Sequence, residues 1–303
     1  MFDLFSKLRN TTSVFMRQCG SDISDKLPVD IHSHMTCTGI AAALLNKKPF
    51  LVSRLGWFET YSIGYRDTHA RLSTGLRNKM WNTPGIFPAT DQEFERFYSQ
   101  YTRAMKEIDI LALMRCPYEK PVVTRHAPNA LLCELGDLEP YFHPVPWSQY
   151  LVGLRVLVVH PFAASIKAQY AKARERLFVD KNVLPEFDLV TLKPPQTLCG
   201  NSDGYQSWSE ALAALQEKIG GQTFDVAITG CGAYGLPVGA FVKMNLRKVC
   251  IHLGGATQML FGVRGGRWDS MGIFRLLMNE HWSRPSPEER PPNWQKAEDG
   301  CYW

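Results

Sequence analysis

Three segments of this chain each run from a short apolar stretch, through a turn of small residues or proline, into a helix-forming stretch: VLVVHPFAAS at 156–165, DVAITGCGAYG at 225–235 and VCIHLGGATQ at 249–258. Uninterrupted apolar runs of this kind read as strands buried on both faces, as in a parallel sheet covered by helices. In such a sheet the three turns sit together at the carboxyl ends of the strands, where open α/β folds bind ligands.

The order of elements supports the same class. From about residue 150 the pattern is strand, helix, a strand near 187–192, helix, strand, helix, strand, helix, the alternation of a doubly wound sheet. Thr90 with Glu93 forms a capping box before apolar residues at helical spacing, Phe94, Phe97, Tyr98, Tyr101, Met105 and Ile108. Ser207 with Glu210 opens a second helix carrying Leu212, Leu215 and Ile219. LVSRLGW at 51–57 is the best strand of the first half. Prolines at 117, 121, 128, 140, 144 and 146 mark a connector of short elements. The expected division is 1–150 as the first half of an α/β domain with a helical cap, 151–265 as a nucleotide-binding half, and 266–303 as an extension. That extension holds Trp268, Trp282, Trp294 and Trp303, half of the chain's eight tryptophans, which anchor it on the domain surface.

Composition narrows the classes. With 303 residues, 45% hydrophobic and 21% charged, the chain can bury a sizeable core. No apolar run approaches the roughly 20 residues of a membrane helix. The opening MFDLFSKLRNTTSVFMRQ lacks the continuous apolar stretch of a secretory signal, so a cytoplasmic location is expected. Eight cysteines without a C-x-x-C pair read as reduced thiols. A formal charge of +5, spread along the chain, suits a phosphate-bearing small molecule and leaves a peripheral membrane contact open; it falls short of a nucleic-acid signature.

Several residues can carry chemistry. Gly230, Gly232 and Gly235 form G-x-G-x-x-G between a strand and a helix, allowing a tight turn and close approach of a phosphate. The next strand ends in Ile251, His252 and Leu253 rather than the acid that would hold a ribose, which disfavours NAD. The competing reading is that these glycines only let helix and strand pack closely. Gly254, Gly255, Thr257 and Gln258 offer an anion backbone N–H groups and side-chain donors, or form a simple helix cap. His160 and Ser165 flank Pro161 and Phe162 in a third such turn, with His160 a candidate for phosphate contact or proton transfer. Arg54 and Glu59 around Gly56 can hold a diphosphate and an acid or metal contact, or pair with each other. Asp30, His32 and His34 spell D-x-H-x-H, a first metal-binding element of some hydrolases if the two histidines alternate on a strand.

R-L-G-x-x-E at 54–59, N-x-x-G-x-F-P at 82–88, LVVHPF at 157–162, GCGAYG at 230–235 and IHLGGATQxLFGxxGxRW at 251–268 together resemble the GT-D type of bacterial glycosyltransferase, commonly encoded among genes for surface polysaccharide assembly. The resemblance runs from about residue 50 to Trp303. It implies a Rossmann-like domain, with a mostly parallel sheet and helices on both faces, that transfers a sugar from a nucleotide-diphosphate donor to a glycan or lipid-linked acceptor. Glu59, His160 and His252 would then line the reacting end. Arg54, Gly56, Asn82, Pro161, Phe162, Ser165, Gly230, Gly232, Ala233, Tyr234, Gly235, Gly254, Gly255, Thr257 and Gln258 would hold the donor. Members of the group carry Asp-x-Glu, implying Mn2+ or Mg2+ at the diphosphate; here Trp57 stands in the Asp position and Glu59 is kept. Two other readings stay open: a nucleotide-sugar-binding scaffold without catalysis, and a metal-dependent hydrolase built on His32 and His34.

Overall fold

The computed structural model describes residues 27–303. Seven strands form one sheet: β1 Phe50–Arg54, β2 Ile110–Leu113, β3 Leu131–Glu134, β4 Arg155–Val159, β5 Asp188–Leu192, β6 Val226–Thr229 and β7 Val249–His252. Their spatial order is β3-β2-β1-β7-β6-β4-β5, and every pair is parallel. The first three strands join the last four through β1 and β7, with Val52 opposite Ile251. The expected α/β class with a parallel sheet is the observed one.

Side chains alternate across the sheet and build two cores. Val52, Ile110, Val156, Val158, Ile228 and Ile251 face one way, toward α1 (Ser33–Leu45), α6 (Ala163–Leu177) and the tryptophan-rich segment after residue 265. Leu51, Leu111, Leu157, Val159, Ala227 and Cys250 face the other way. There they meet α2 (Trp57–Thr68), α3 (Thr74–Asn82), α4 (Asp91–Met105), α5 (Glu119–His126), α7 (Trp208–Gly220) and α8 (Gly235–Met244). The short helices α9 (Ala256–Leu260), α10 (Gly266–Asp269) and α11 (Gly272–Arg275) follow β7.

Capping residues set several boundaries. Thr90 accepts the Glu93 N–H at 3.2 Å and starts α4; Ser207 accepts the Glu210 N–H at 3.1 Å and starts α7. The 51–57 segment departs from expectation. It is strand only to Arg54, because Gly56 is the extended N-cap of α2 and Trp57 is already its first helical residue. The 117–150 connector holds α5, β3 and three 3-10 turns.

The D-x-H-x-H motif also differs from its expected form. Asp30 spends its carboxylate on the Leu132 N–H of β3 at 2.8 Å. His32 lies just before α1 and His34 in its first turn, and both are exposed. With His32 the extended N-cap and His34 helical, the two do not alternate along one strand, and among the described residues neither joins a group of three His, Cys, Asp or Glu side chains that could hold a metal.

Candidate functional site

The carboxyl end of the sheet brings most of the sequence candidates near one another, and residue parity sorts them onto two sides. Arg54 ends β1 on the α1 and α6 side, one residue past Ser53, which points to the α8 side with Leu51. The Arg54 side chain lies along the Gly254 turn: a Cβ on Gly254, which has φ +60°, would sit 3.1 Å from Arg54 Cδ and 3.3 Å from Nη1. Arg54 Nη2 reaches the Met114 sulfur at 3.3 Å, and among the described residues no carboxylate comes within ion-pair distance of the guanidinium. A half-buried Arg fork without a bound carboxylate suits phosphate oxygens.

Carboxylates nevertheless feel this charge. Glu59 occupies the third position of α2 and folds back over Gly56, where any Cβ would overlap its carboxylate. It is 7% exposed. Burial pushes its carboxyl up to about 7; Arg54 pulls it down and Glu298 pushes it up. Glu139, from a 3-10 turn after β3, is pushed up to about 7 by burial as well, with Arg54 again acting against the shift. An acid poised near neutrality beside a free cation is a competent proton acceptor for a hydroxyl.

The segment after residue 265 closes over this end of the sheet. Tyr302 packs on Gly255, where a Cβ would stand 3.1 Å from Cε1, with Trp268 beside it at 3.4 Å. The Arg267 guanidinium lies 4.4 Å from the Tyr302 ring centroid and pairs with Glu298. Burial pushes the Tyr302 phenol up to about 12, with Arg267 and Arg54 drawing it down. Phe162 meets the Trp303 ring at 5.8 Å. Arg267, Glu298, Tyr302 and Glu139 were missed by sequence reasoning. Only the Arg267 position, inside a glycine-rich run, carried any signal.

Other candidates are occupied by the fold. The backbone N–H and hydroxyl of Ser165 and the Ala164 N–H all donate to the Glu289 carboxylate, which therefore caps α6 where an external anion would bind. Thr257 donates to the Thr229 carbonyl at 3.3 Å. Gln258 donates to the carbonyls of Val263 at 3.0 Å and Tyr302 at 3.2 Å. His252 lies on the α8 side with its Nδ1 2.9 Å from Ser53 Oγ, and its Nε2 is covered by Gly235 so closely that a Cβ there would overlap it. Burial, assisted by Arg54, pushes His252 down to about 3.

The G-x-G-x-x-G glycines have local reasons. A Cβ on Gly230 would overlap the Gly254 carbonyl and lie 2.7 Å from Thr257 Oγ1 and 2.8 Å from His160 Cδ2. Gly232 has φ +56° and faces only the Pro84 carbonyl at 3.4 Å. Gly235 makes room for His252. Ala233 is buried, and the Tyr234 hydroxyl meets Thr197 Oγ1 at 2.7 Å. Asn82 ends α3, with its carbonyl held by the Cys199 N–H at 2.9 Å; its side-chain oxygen lies near Gly200. The Pro161 carbonyl faces Gln196 Nε2 at 3.5 Å. His160 begins the turn after β4 and accepts the Phe162 N–H on Nδ1 at 3.0 Å.

The residues around Glu59 do not fit a divalent cation. Among the described residues, no three His, Cys, Asp or Glu side chains converge as a metal cage, and Trp57 offers no oxygen. Cavities of about 220 Å3, lined by Lys47, Asp225 and Arg247, and about 410 Å3, lined by Arg264, Asp269 and Trp282, lie away from Arg54. Among the described residues no helix is long and apolar enough to cross a membrane.

No protein-family model and no curated protein matches the chain. Among solved structures, it is similar to a selenomethionine-substituted structure of domain of unknown function 1792, at 11% identity over 85% of this chain and 96% of that one, with a TM-score of 0.36. It is similar also to a structure described as "The highly conserved domain of unknown function 1792 has a distinct glycosyltransferase fold", at 12% identity, the same coverage and a TM-score of 0.35.

Proposed function

We propose that the chain is a glycosyltransferase that moves a sugar from a nucleotide-diphosphate donor to the hydroxyl of a glycan or lipid-linked acceptor. The observation that carries this reading is Arg54: a guanidinium laid along a glycine turn at the carboxyl end of the sheet, without an ion-paired carboxylate among the described residues, beside two carboxyls pushed up to about 7.

In this reading Arg54 holds the diphosphate and stabilises the charge that builds on it as the bond from the sugar anomeric carbon to the phosphate oxygen breaks. The leaving nucleoside diphosphate keeps that electron pair. The acceptor oxygen forms the new bond to the anomeric carbon, and its proton passes to Glu59. Tyr302 and Trp268 pack over Gly255 of the same turn, which stays partly exposed. Each step in this reading is carried by Arg54 and Glu59.

Glu59→Gln tests the assignment. The amide keeps the shape and removes the base, so transfer falls by roughly 10²–10⁴ while the fold and donor binding persist. Wild-type turnover in this variant would reject Glu59 as the base. Donor binding without turnover in the unaltered chain would favour a nucleotide-sugar-binding scaffold instead.

A further inference from the structure

His160 is the first residue past β4, and Gly230 the first past β6. The connection after β4 runs outward to β5, whereas the one after β6 runs the opposite way to β7. The gap between these strand ends is therefore a switch point of the sheet, the position at which parallel sheets open a crevice. The Gly230 N–H ties the end of β6 to the Val159 carbonyl of β4 at 2.9 Å, and the His160 N–H ties the end of β4 to the Leu192 carbonyl of β5 at 3.1 Å.

The tautomer of His160 follows from one hydrogen bond. Nδ1 accepts the Phe162 N–H at 3.0 Å, so in the neutral ring the proton sits on Nε2. Burial holds the ring neutral, pushing it down to about 3. The residue is 3% exposed, and among the described residues Nε2 has no hydrogen-bond partner. Nε2 is not one of the fully buried polar atoms left without a partner, so the one donor of an otherwise buried ring reaches accessible space, where a ligand can take it. The Cδ2 atom of the ring packs against the bare Cα of Gly230, whose Cβ would lie 2.8 Å from it.

We infer that His160 is a fixed, neutral hydrogen-bond donor that gives its Nε2–H to a phosphate oxygen of the nucleotide-diphosphate donor at the gap between β4 and β6, and takes no part in proton transfer. This rests on the donor-binding reading above and adds to it a second phosphate contact, one strand beyond β6 from the Arg54 side. The role differs from that of a general base: a ring whose Nδ1 is already filled by a backbone N–H has no free lone pair to offer.

Two variants separate the donor role from a structural one. His160→Asn keeps an acceptor for the Phe162 N–H and lacks the Nε2 donor; His160→Gln restores an N–H near the Nε2 position and loses the acceptor. Inorganic pyrophosphate is the probe, titrated into the full chain by calorimetry, with the ring followed by ¹⁵N NMR of histidine-labelled protein. The expected result is an Nε2–H tautomer whose proton resonance moves on saturation. His160→Asn should bind about tenfold more weakly, and His160→Gln within about threefold of the unaltered chain. Pyrophosphate binding with the Nε2–H resonance unmoved and His160→Asn at full affinity would overturn the inference while leaving the anion site in place. No pyrophosphate binding at all would remove the donor-binding reading and this inference together. Should His160→Asn fail to fold, the resonance shift in the unaltered chain decides.

Discussion

The carboxylate of Glu59 folds directly over the Cα of Gly56, so that the N-cap of α2 has no room for a side chain. Gly56 itself is extended, with φ −78° and ψ 150°, a backbone that alanine adopts without strain. Gly56→Ala should therefore leave stability within about 1 kcal/mol and displace only the carboxylate. Transfer should fall nearly as far as in Glu59→Gln, read from turnover and urea unfolding of the same preparations. Unchanged turnover with Glu59 displaced would show that the carboxylate is not the base.

Titration of the buried carboxyls sets a pH dependence with a definite sign. Glu59 and Glu139 are both pushed from 4.5 up to about 7 by burial, so the folded state holds their protons more tightly than the unfolded chain does. Their contribution to stability is fully present below about pH 4.5 and is lost as pH rises through about 7. The loss is at most about 3 kcal/mol for each group. His160 and His252, pushed down to about 3, act in the opposite sense: their contribution is present above about 6.5 and is lost as pH falls toward 3. Urea unfolding of Glu139→Gln across pH 4.5–8 should show a flatter decline toward high pH than the unaltered chain. An identical profile would place Glu139 in water.

Glu289 acts as the cap of α6. Glu289→Gln removes a charge that accepts from Ala164 and Ser165, and should destabilise by about 1–3 kcal/mol. Ser165→Ala should cost less. The double variant should cost less than the two together, because the residues share one network. Additive losses would show that the two side chains act separately.

The three glycines of the 230–235 turn should rank by what surrounds them. Gly230→Ala forces the new methyl against the Gly254 carbonyl, which is backbone and cannot swing away, and should destabilise most. Gly235→Ala pushes on the His252 ring. Gly232→Ala meets only the Pro84 carbonyl and pays for its positive φ, about 1 kcal/mol. Thermal midpoints check the order. A Gly232 variant that loses most would show that its positive φ outweighs the close contacts around Gly230 and Gly235.

Much of the frame was legible because its signals are local. Caps at Thr90 and Ser207, and the apolar runs of β4, β6 and β7, name helices and strands from neighbours within a few residues. Trp57 was misread as strand because an apolar residue after a glycine fits either a strand end or a first helical turn; the capping geometry of Gly56 decides it. The roles of Thr257, Gln258 and Ser165 were out of reach for a different reason. Their partners, the carbonyls of Thr229 and Tyr302 and the carboxylate of Glu289, come from chain distant in sequence. The pairing of Glu139 and Tyr302 with the Arg54 charge is likewise visible only once β1, the connector and the last segment share one end of the sheet.

The most direct test of the central claim is a thermal-shift panel of uridine, guanosine, cytidine and adenosine diphosphates, with and without manganese, on the unaltered chain and on Arg54→Gln. A ligand that binds only the folded state raises its midpoint. The account predicts that at least one nucleoside diphosphate stabilises the unaltered chain without needing manganese, and that Arg54→Gln abolishes the shift. No shift with any of them, or a shift that survives in Arg54→Gln, would contradict it.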